Sequence, residues 1–437
     1  MLGIMKRIYD SLPKKHLKFL RNIPDRLLFG KSYIEWKNKV SFDKTLIDKN
    51  LFDTLNYARE HTQYGKDHIP KKFDISEVRT ILESLPLTTS DDLARNLNYY
   101  TSDEFNRLNS YTTTTGGTGR NPTTLLLSNE LYGIEWAHVH HIWSYAGYNR
   151  QRDIKLTLRG KSLNGDNLIE YNPLYNELVV DVFKINHNNF AKLLDEIIKY
   201  DIKYIHGYPS LVKEYMVYFQ KNHYKSELKG IFLASENATV EDKRLIADFF
   251  KCKVISFYGQ SERALIAVDI DSNDMHRVYT SYGYPRVIGG ELILTSFVNR
   301  AMPLINYKIG DGAELIEDEH YLYLKNLTGR WGKDFLYLNK DKRISTAAIN
   351  LHSQIQSEIV YYQIHQKEFG KIEVRVLQKS TSLLSAESVG KTFSDEIRSK
   401  LKEFEVNVRV VEEDEIIKSQ RGKMILLIQD PCLQQYL

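Results

Sequence analysis

The chain has 437 residues, 42% hydrophobic and 27% charged, the make-up of a folded protein of about two to four domains. Sixty Lys and Arg oppose 56 Asp and Glu, and a net +4 over this length is too small to make nucleic acid the expected partner. Two cysteines, Cys252 and Cys432, exclude a disulfide framework and a Cys-rich zinc site, and no apolar run approaches the roughly 18 residues of a membrane span, so a cytoplasmic chain is expected.

Charge is concentrated at the start. Residues 1 to 40 hold ten Lys or Arg against Asp10, Asp25 and Glu35. Interleaved Leu, Ile, Phe and Trp give this stretch two readings. It is either a helical face docked on the rest of the chain, or a surface for peripheral contact with the anionic inner face of a membrane.

From about residue 120 helical and strand-like segments alternate, which predicts an α/β fold. Leu125 to Leu127 precedes a predicted helix whose first turn Ser128 would cap, with Glu130 and Glu135 near its positive end. Strands are expected at Val179-Val180, Tyr204-Ile205, Gly230 to Leu233 and Val254 to Phe257, and helices at Phe190 to Tyr200, Ser210 to Gln220 and Val240 to Phe250. After Glu291 the alternation at Glu291 to Thr295 and Tyr321 to Lys325 predicts an antiparallel appendage. A βαβ-like unit then follows, in Ile372 to Leu377, the amphipathic Ser385 to Phe404, Val406 to Val411 and Lys423 to Ile428. The boundary is placed at Gly329 to Asp334, giving a large N-terminal domain over 1–330 and a small α+β C-terminal domain over 331–437.

Three predicted strands run into turns: His206-Gly207-Tyr208-Pro-Ser210, Ala234-Ser235-Glu236-Asn237 and Tyr258-Gly259-Gln260-Ser261-Glu262. In open α/β sheets ligands bind beyond the carboxyl ends of strands, so chemistry is expected at these turns.

Several familiar signatures are absent. Gly30-Lys-Ser, Gly160-Lys-Ser and Gly390-Lys-Thr lack the first glycine of a P-loop, which is Asp25, Lys155 and Ser385 instead. Neither a G-x-S-x-G elbow nor an H-E-x-x-H run occurs. His138, His140 and His141 share a predicted helix without a suitably spaced carboxylate, and read as structural histidines.

What stands out is Thr112-Thr-Thr114-Thr115-Gly116-Gly117-Thr118-Gly119-Arg120-Asn-Pro122, four Thr running into a Gly-rich turn: glycines let backbone N–H groups converge on an anion, and the hydroxyls and Arg120 add donors to phosphate oxygens. A plain surface turn is the alternative.

The Thr- and Gly-rich loop resembles the phosphate loop of the adenylate-forming superfamily, which includes acyl-CoA synthetases, luciferases and peptide-synthetase adenylation domains. Four further motifs follow in that family's order: Tyr258-Gly-Gln-Ser-Glu262, Tyr307-Lys-Ile-Gly-Asp311, Gly329-Arg330 with Asp334, and Arg421-Gly-Lys423. The His206-Gly-Tyr and Tyr258-Gly-Gln-Ser-Glu262-Arg263 forms are closest to the phenylacetate-CoA ligase-like branch, particularly members found in capsule and O-antigen polysaccharide loci. Gly117 stands at a position where the family has a hydroxyl, Pro122 comes one residue late, and the hinge is longer by about one residue, leaving Lys333 or Asp334 as pivot.

The resemblance implies an ATP-dependent ligase that makes an acyl adenylate from a carboxylic acid and passes the acyl group to CoA or to an amine. Thr114 to Arg120 would hold phosphate, Tyr258, Gly259, Gln260, Ser261, Ser235 and Glu236 the adenine region, Asp311 the ribose and Glu262 the Mg²⁺. Lys423 and Arg330 would act on the reacting phosphate, and His206, Gly207 and Tyr208 would border the acid. Read from residue type alone, Glu236 is equally a solvated carboxylate, and Asp311-Gly312 a turn pair. An aromatic run at Trp143, Tyr145 and Tyr148 is the expected acyl-pocket wall, opposite Tyr208, with ordinary core packing as the equal alternative. Oligomeric state is not legible. The rival readings are an amide-forming ligase that does not use CoA, and a degenerate nucleotide-binding scaffold.

Overall fold

The computed structural model describes residues 18–434 apart from 107, 115–122, 162, 187, 225–226, 329–334, 341, 350–354, 356–357, 380–381 and 418–424. Its body is one 12-stranded sheet. The middle is parallel, in the order β5 (Glu177–Val180), β3 (Lys155–Leu158), β6 (Tyr204–Gly207), β7 (Gly230–Leu233) and β8 (Lys253–Gly259), with β4 (Ile169–Asn172) antiparallel on the outer edge. Beyond β8 the sheet continues antiparallel through β9 (Ile266–Asp269), β10 (His276–Val278), β14 (Leu322–Thr328), β13 (Tyr307–Glu317), β12 (Glu291–Ser296) and β11 (Gly283–Ile288). The predicted appendage is thus part of the same sheet. A separate hairpin, β1 (Ser110–Thr114) with β2 (Thr124–Ser128), flanks the Gly-rich segment.

The parallel strands are apolar runs because both their faces are covered. Alternate side chains sort into two cores. Leu156, Ile205, Ile231 and Val254 pack under α4 (Phe190–Lys199), α5 (Pro209–Lys221) and α6 (Val240–Phe250). Tyr204, Phe232 and Ile255 face α3 (Leu131–Ser144), which contributes Ile134, Ile142 and Trp143. A ten-residue helix such as α4 is marginal alone; it forms because Phe190, Leu193 and Ile197 are buried, at roughly 1.5–3 kcal/mol each.

Two local expectations are corrected. Ser128 does not cap α3: it ends β2, its N–H donating to Asn299 Oδ1 at 3.2 Å, and α3 begins at Leu131 with Glu130 at the N-cap position. Glu135 lies inside α3 and pairs with Arg263, so it serves a tertiary contact instead of the helix start. At the N-terminus, α1 (Asp25–Phe29) and α2 (Lys31–Trp36) lie against α3, with Phe29 and Tyr33 buried and Arg150 holding Asp25 at 2.7 Å. For these residues the docked reading is the observed one; residues 1–17 lie outside the described residues.

The smaller C-terminal part is α+β. After the hairpin β15 (Phe335–Tyr337) with β16 (Arg343–Ser345), a four-stranded sheet runs β19 (Glu405–Val411), β18 (Lys371–Gln378), β17 (Ile359–Glu368), β20 (Leu427–Gln429). The predicted βαβ unit is β18, α7 (Ala386–Lys400) and β19, parallel from Lys371 opposite Glu405 to Leu377 opposite Val411. Val389, Phe393 and Ile397 seat α7 on the sheet. No helix among the described residues is long and apolar enough to cross a membrane.

Candidate active site

The three turns predicted to carry chemistry do lie side by side, at the carboxyl ends of β6, β7 and β8. The strongest link at this edge is between distant motifs: Tyr258 Oη donates to Asp311 Oδ2 at 2.8 Å. In a flat sheet the four steps from β8 to β13 would span about 19 Å, so the antiparallel extension must curl back over the end of β8 to make this bond. Asp311 sits within β13, not in a turn. Gly310 before it takes φ +85°, and a Cβ on Gly312 after it would lie 2.5 Å from Thr328 Oγ1. The Asp-Gly turn alternative is thereby removed.

Glu262 is buried in the turn after β8. Its neighbour Arg263 adopts the left-handed conformation, φ +55°, and its pairing with Glu135 ties the turn to α3. Gln260 Oε1 accepts from the Leu265 N–H at 3.3 Å, whereas its Nε2 is buried without a hydrogen-bond partner among the described residues. A Cβ on Gly259 would meet nothing nearer than the Leu265 carbonyl oxygen at 4.0 Å. An open flank, an orphaned donor and a buried carboxylate within four residues are what a bound polyanion with its hard cation would fill.

In the turn after β7, Ser235 is also left-handed, φ +69°, and its Oγ accepts from Arg159 Nη2 at 3.4 Å. Glu236 accepts from the Ser210 N–H at 3.1 Å and the Ser210 hydroxyl at 3.0 Å, a carboxylate at the positive first turn of α5. Asn237 Nδ2 donates to the Leu327 carbonyl at 3.0 Å, fastening this turn to β14. After β6, Gly207 is compelled by packing, because a Cβ there would lie 2.8 Å from the Leu158 carbonyl oxygen. His206 stands on the α3 face between Trp143 and Phe257, whereas Tyr208 belongs to the core on the opposite face. Burial, then the nearby positive charges of Arg159 and Lys155, hold the His206 imidazole well below its usual pKa, so it is neutral.

Of the expected aromatic wall, Trp143 and Tyr148 are buried under α3, while Tyr145 packs at the surface against His141. His138 Nδ1 donates to Ile134 O and its Nε2 pairs with Ser281 Oγ, His140 bonds Tyr33 Oη, and His141 bonds Tyr279 Oη, each within the core of the α3 face or its margin. Thr114 ends β1 opposite Thr124. Thr115, Gly116, Gly117, Thr118, Gly119, Arg120, Arg330, Lys333, Asp334 and Lys423 lie outside the described residues. The sequence reading missed Arg159, which follows β3 directly and stacks its guanidinium 5.6 Å from the Tyr208 ring centre, at the mouth of the site.

No family model matches the chain. Protein CapK of Staphylococcus aureus is 22% identical over 356 residues, 75% of this chain and 77% of that protein. Among solved structures, 2-hydroxyisobutyryl-CoA ligase with 2-HIB-AMP and CoA, in the thioesterification state, aligns with a TM-score of 0.54 at 16% identity, covering 91% of this chain and 93% of that one. The same ligase in the postadenylation state with R3-HIB-AMP gives 0.52 at 15% identity, covering 91% and 94%. The chain has the fold of these adenylate-forming ligases. The resemblance read from five short motifs therefore extends to the architecture: a large sheet-rich body that ends in a small α+β part.

Proposed function

We propose that this chain activates a carboxylic acid with ATP, releasing pyrophosphate and forming an acyl adenylate, and then passes the acyl group to CoA or an amine. The observation that carries this reading is the Tyr258–Asp311 hydrogen bond, which joins two of the five motifs at one strand edge. Asp311 would accept from the ribose hydroxyls, and the Tyr258 ring would lie against adenine, with Ser235 and Glu236 bordering it. Thr114 to Arg120 would donate to the phosphates. Glu262 offers the hard oxygen that Mg²⁺ prefers, and the ion, when bound, offsets phosphate charge. Arg330 and Lys423 would bring positive charge to the α-phosphate as its negative charge grows, Lys423 carried there by rotation of 331–437 about Lys333 or Asp334.

The related solved structures hold acyl-AMP, and some hold CoA. The similarity to Protein CapK, beside the His206 and Tyr258 motif forms that resemble members from capsule and O-antigen polysaccharide loci, supports a place in surface polysaccharide assembly. The test is the half-reaction profile of Lys423→Ala. Pyrophosphate release should fall by about 100-fold or more, while transfer from supplied acyl-AMP to CoA or an amine acceptor stays near the wild-type rate. Equal loss in both steps, or in neither, would leave a nucleotide-binding scaffold as the better account.

A further inference from the structure

We propose that the outward side of α1 and α2 seats this chain on an anionic phospholipid surface; the inference does not depend on the adenylation reading. Residues 1–40 hold ten Lys or Arg against three acids, a surplus of seven in a chain whose net charge is +4, so the remainder is slightly acidic. Docking on α3 uses only the inward side of this segment. Phe29 and Tyr33 are buried there, Ser32 Oγ donates to the Glu130 carbonyl at 3.0 Å, and a Cβ on Gly133 would lie 2.5 Å from the Phe29 carbonyl oxygen. The two short helices are thus packed tightly on the body, and their outward side is a preformed platform.

Both acids of the described part are spent within the protein. Asp25 is held by Arg150, whose side chain is 3% exposed, and Glu35 pairs with Lys31 at 3.1 Å. Arg26, Lys37 and Lys39 are exposed and pair with no carboxylate among the described residues. Lys37 and Lys39 lie beside the Tyr33 and Trp36 rings, their Nζ atoms 5.7 and 6.0 Å from the ring centres, which holds both cations to the platform. Among these cations stand bare apolar side chains: Leu27 is 76% exposed and Ile34 42%. Cations alone would suit any polyanion. Leu27 and Ile34 gain only where an apolar phase lies behind the negative charge, which is the interfacial zone of a bilayer. Each Lys or Arg near an anionic leaflet strengthens binding roughly fivefold. The sequence of residues 1–17, outside the described residues, adds Lys6, Arg7, Lys14 and Lys15 against Asp10.

The test is co-sedimentation of the full chain with vesicles of phosphatidylcholine alone or with about 30% phosphatidylglycerol, at about 50 and 500 mM salt. Two surface variants accompany it, Arg26→Glu with Lys37→Glu and Lys39→Glu, and Leu27→Ser with Ile34→Ser, with circular dichroism to establish folding. The wild type should bind the anionic vesicles at low salt and at least 10-fold more weakly at high salt or without phosphatidylglycerol. The charge variant should lose about 100-fold and the apolar variant about 10-fold. No wild-type binding to anionic vesicles at low salt overturns the proposal. So does binding that either folded variant leaves unchanged, which would put the contact elsewhere or reduce it to charge. Wild-type binding to single-stranded RNA as tight as to the vesicles overturns it too, in favour of a soluble polyanion.

Discussion

Replacing Asp311 by Ala separates a nucleotide ligand from a structural brace. Its carboxylate is buried at the strand edge where the ribose would bind, and one oxygen accepts from Tyr258 at 2.8 Å. Two charge-assisted hydrogen bonds to the sugar, at roughly 1.5 kcal/mol each, sum to about 3 kcal/mol, or about 100-fold in ATP affinity. Loss of the Tyr258 partner should cost the fold about 1 kcal/mol besides. Tyr258→Phe is the control. It deletes the same internal bond but spares the carboxylate, so its ATP affinity should fall less than 10-fold. Calorimetric titration with ATP, beside the KM for the acid, reads both effects. The reasoning is refuted if a folded Asp311→Ala protein binds ATP as the wild type does. It is equally refuted if Tyr258→Phe is as damaging as Asp311→Ala, because the carboxylate would then act only as a brace.

Two predictions concern stability. His138 is fully buried, and burial pushes its pKa from 6.5 down to about 3; the unfolded chain therefore binds a proton that the native state refuses, and stability falls as pH drops below 6.5. Urea unfolding at pH 5 should show a loss of about 2 kcal/mol from this group relative to pH 7, absent in His138→Gln; an identical pH dependence in the variant would reassign the effect. Lys243 and Asp269 form an ion pair with both side chains fully buried, so Lys243→Met should cost about 3–5 kcal/mol by stranding the carboxylate, and Lys243→Met with Asp269→Leu should recover much of it. Equal losses in the single and double variants would show that volume, not charge, governs the site.

The parallel centre was legible because a strand covered on both faces is a short apolar run between turns, and Gly230 to Leu233 or Val254 to Phe257 offers little else. β3 was not. It carries Lys155, a residue that argues against a central strand until its partner Glu177 is seen at 3.3 Å, and Arg159 was lost with it. Ser128 misled for the opposite reason: a hydroxyl before an apolar-periodic run is a good cap in sequence, and only Asn299, 171 positions away, makes it the end of a strand.

The motifs posed a different problem. Order along the chain says nothing of distance, and Tyr258 and Asp311 belong to strands four places apart. Their hydrogen bond requires the antiparallel half of the sheet to twist and curl, which its small and irregular positions permit. The ladders of β13 with β12 and with β14 both shift register around Gly312, and bulges of this kind sharpen a bend. Gly312 also lies where a Cβ would strike Thr328, so the close approach of β13 and β14 beside Asp311 depends on it. The glycine that reads in sequence as half of a turn pair is thus what allows the strand to carry its aspartate to the site. A binding residue and the backbone feature that delivers it occupy adjacent positions, while the partner they reach lies in another motif 53 residues earlier.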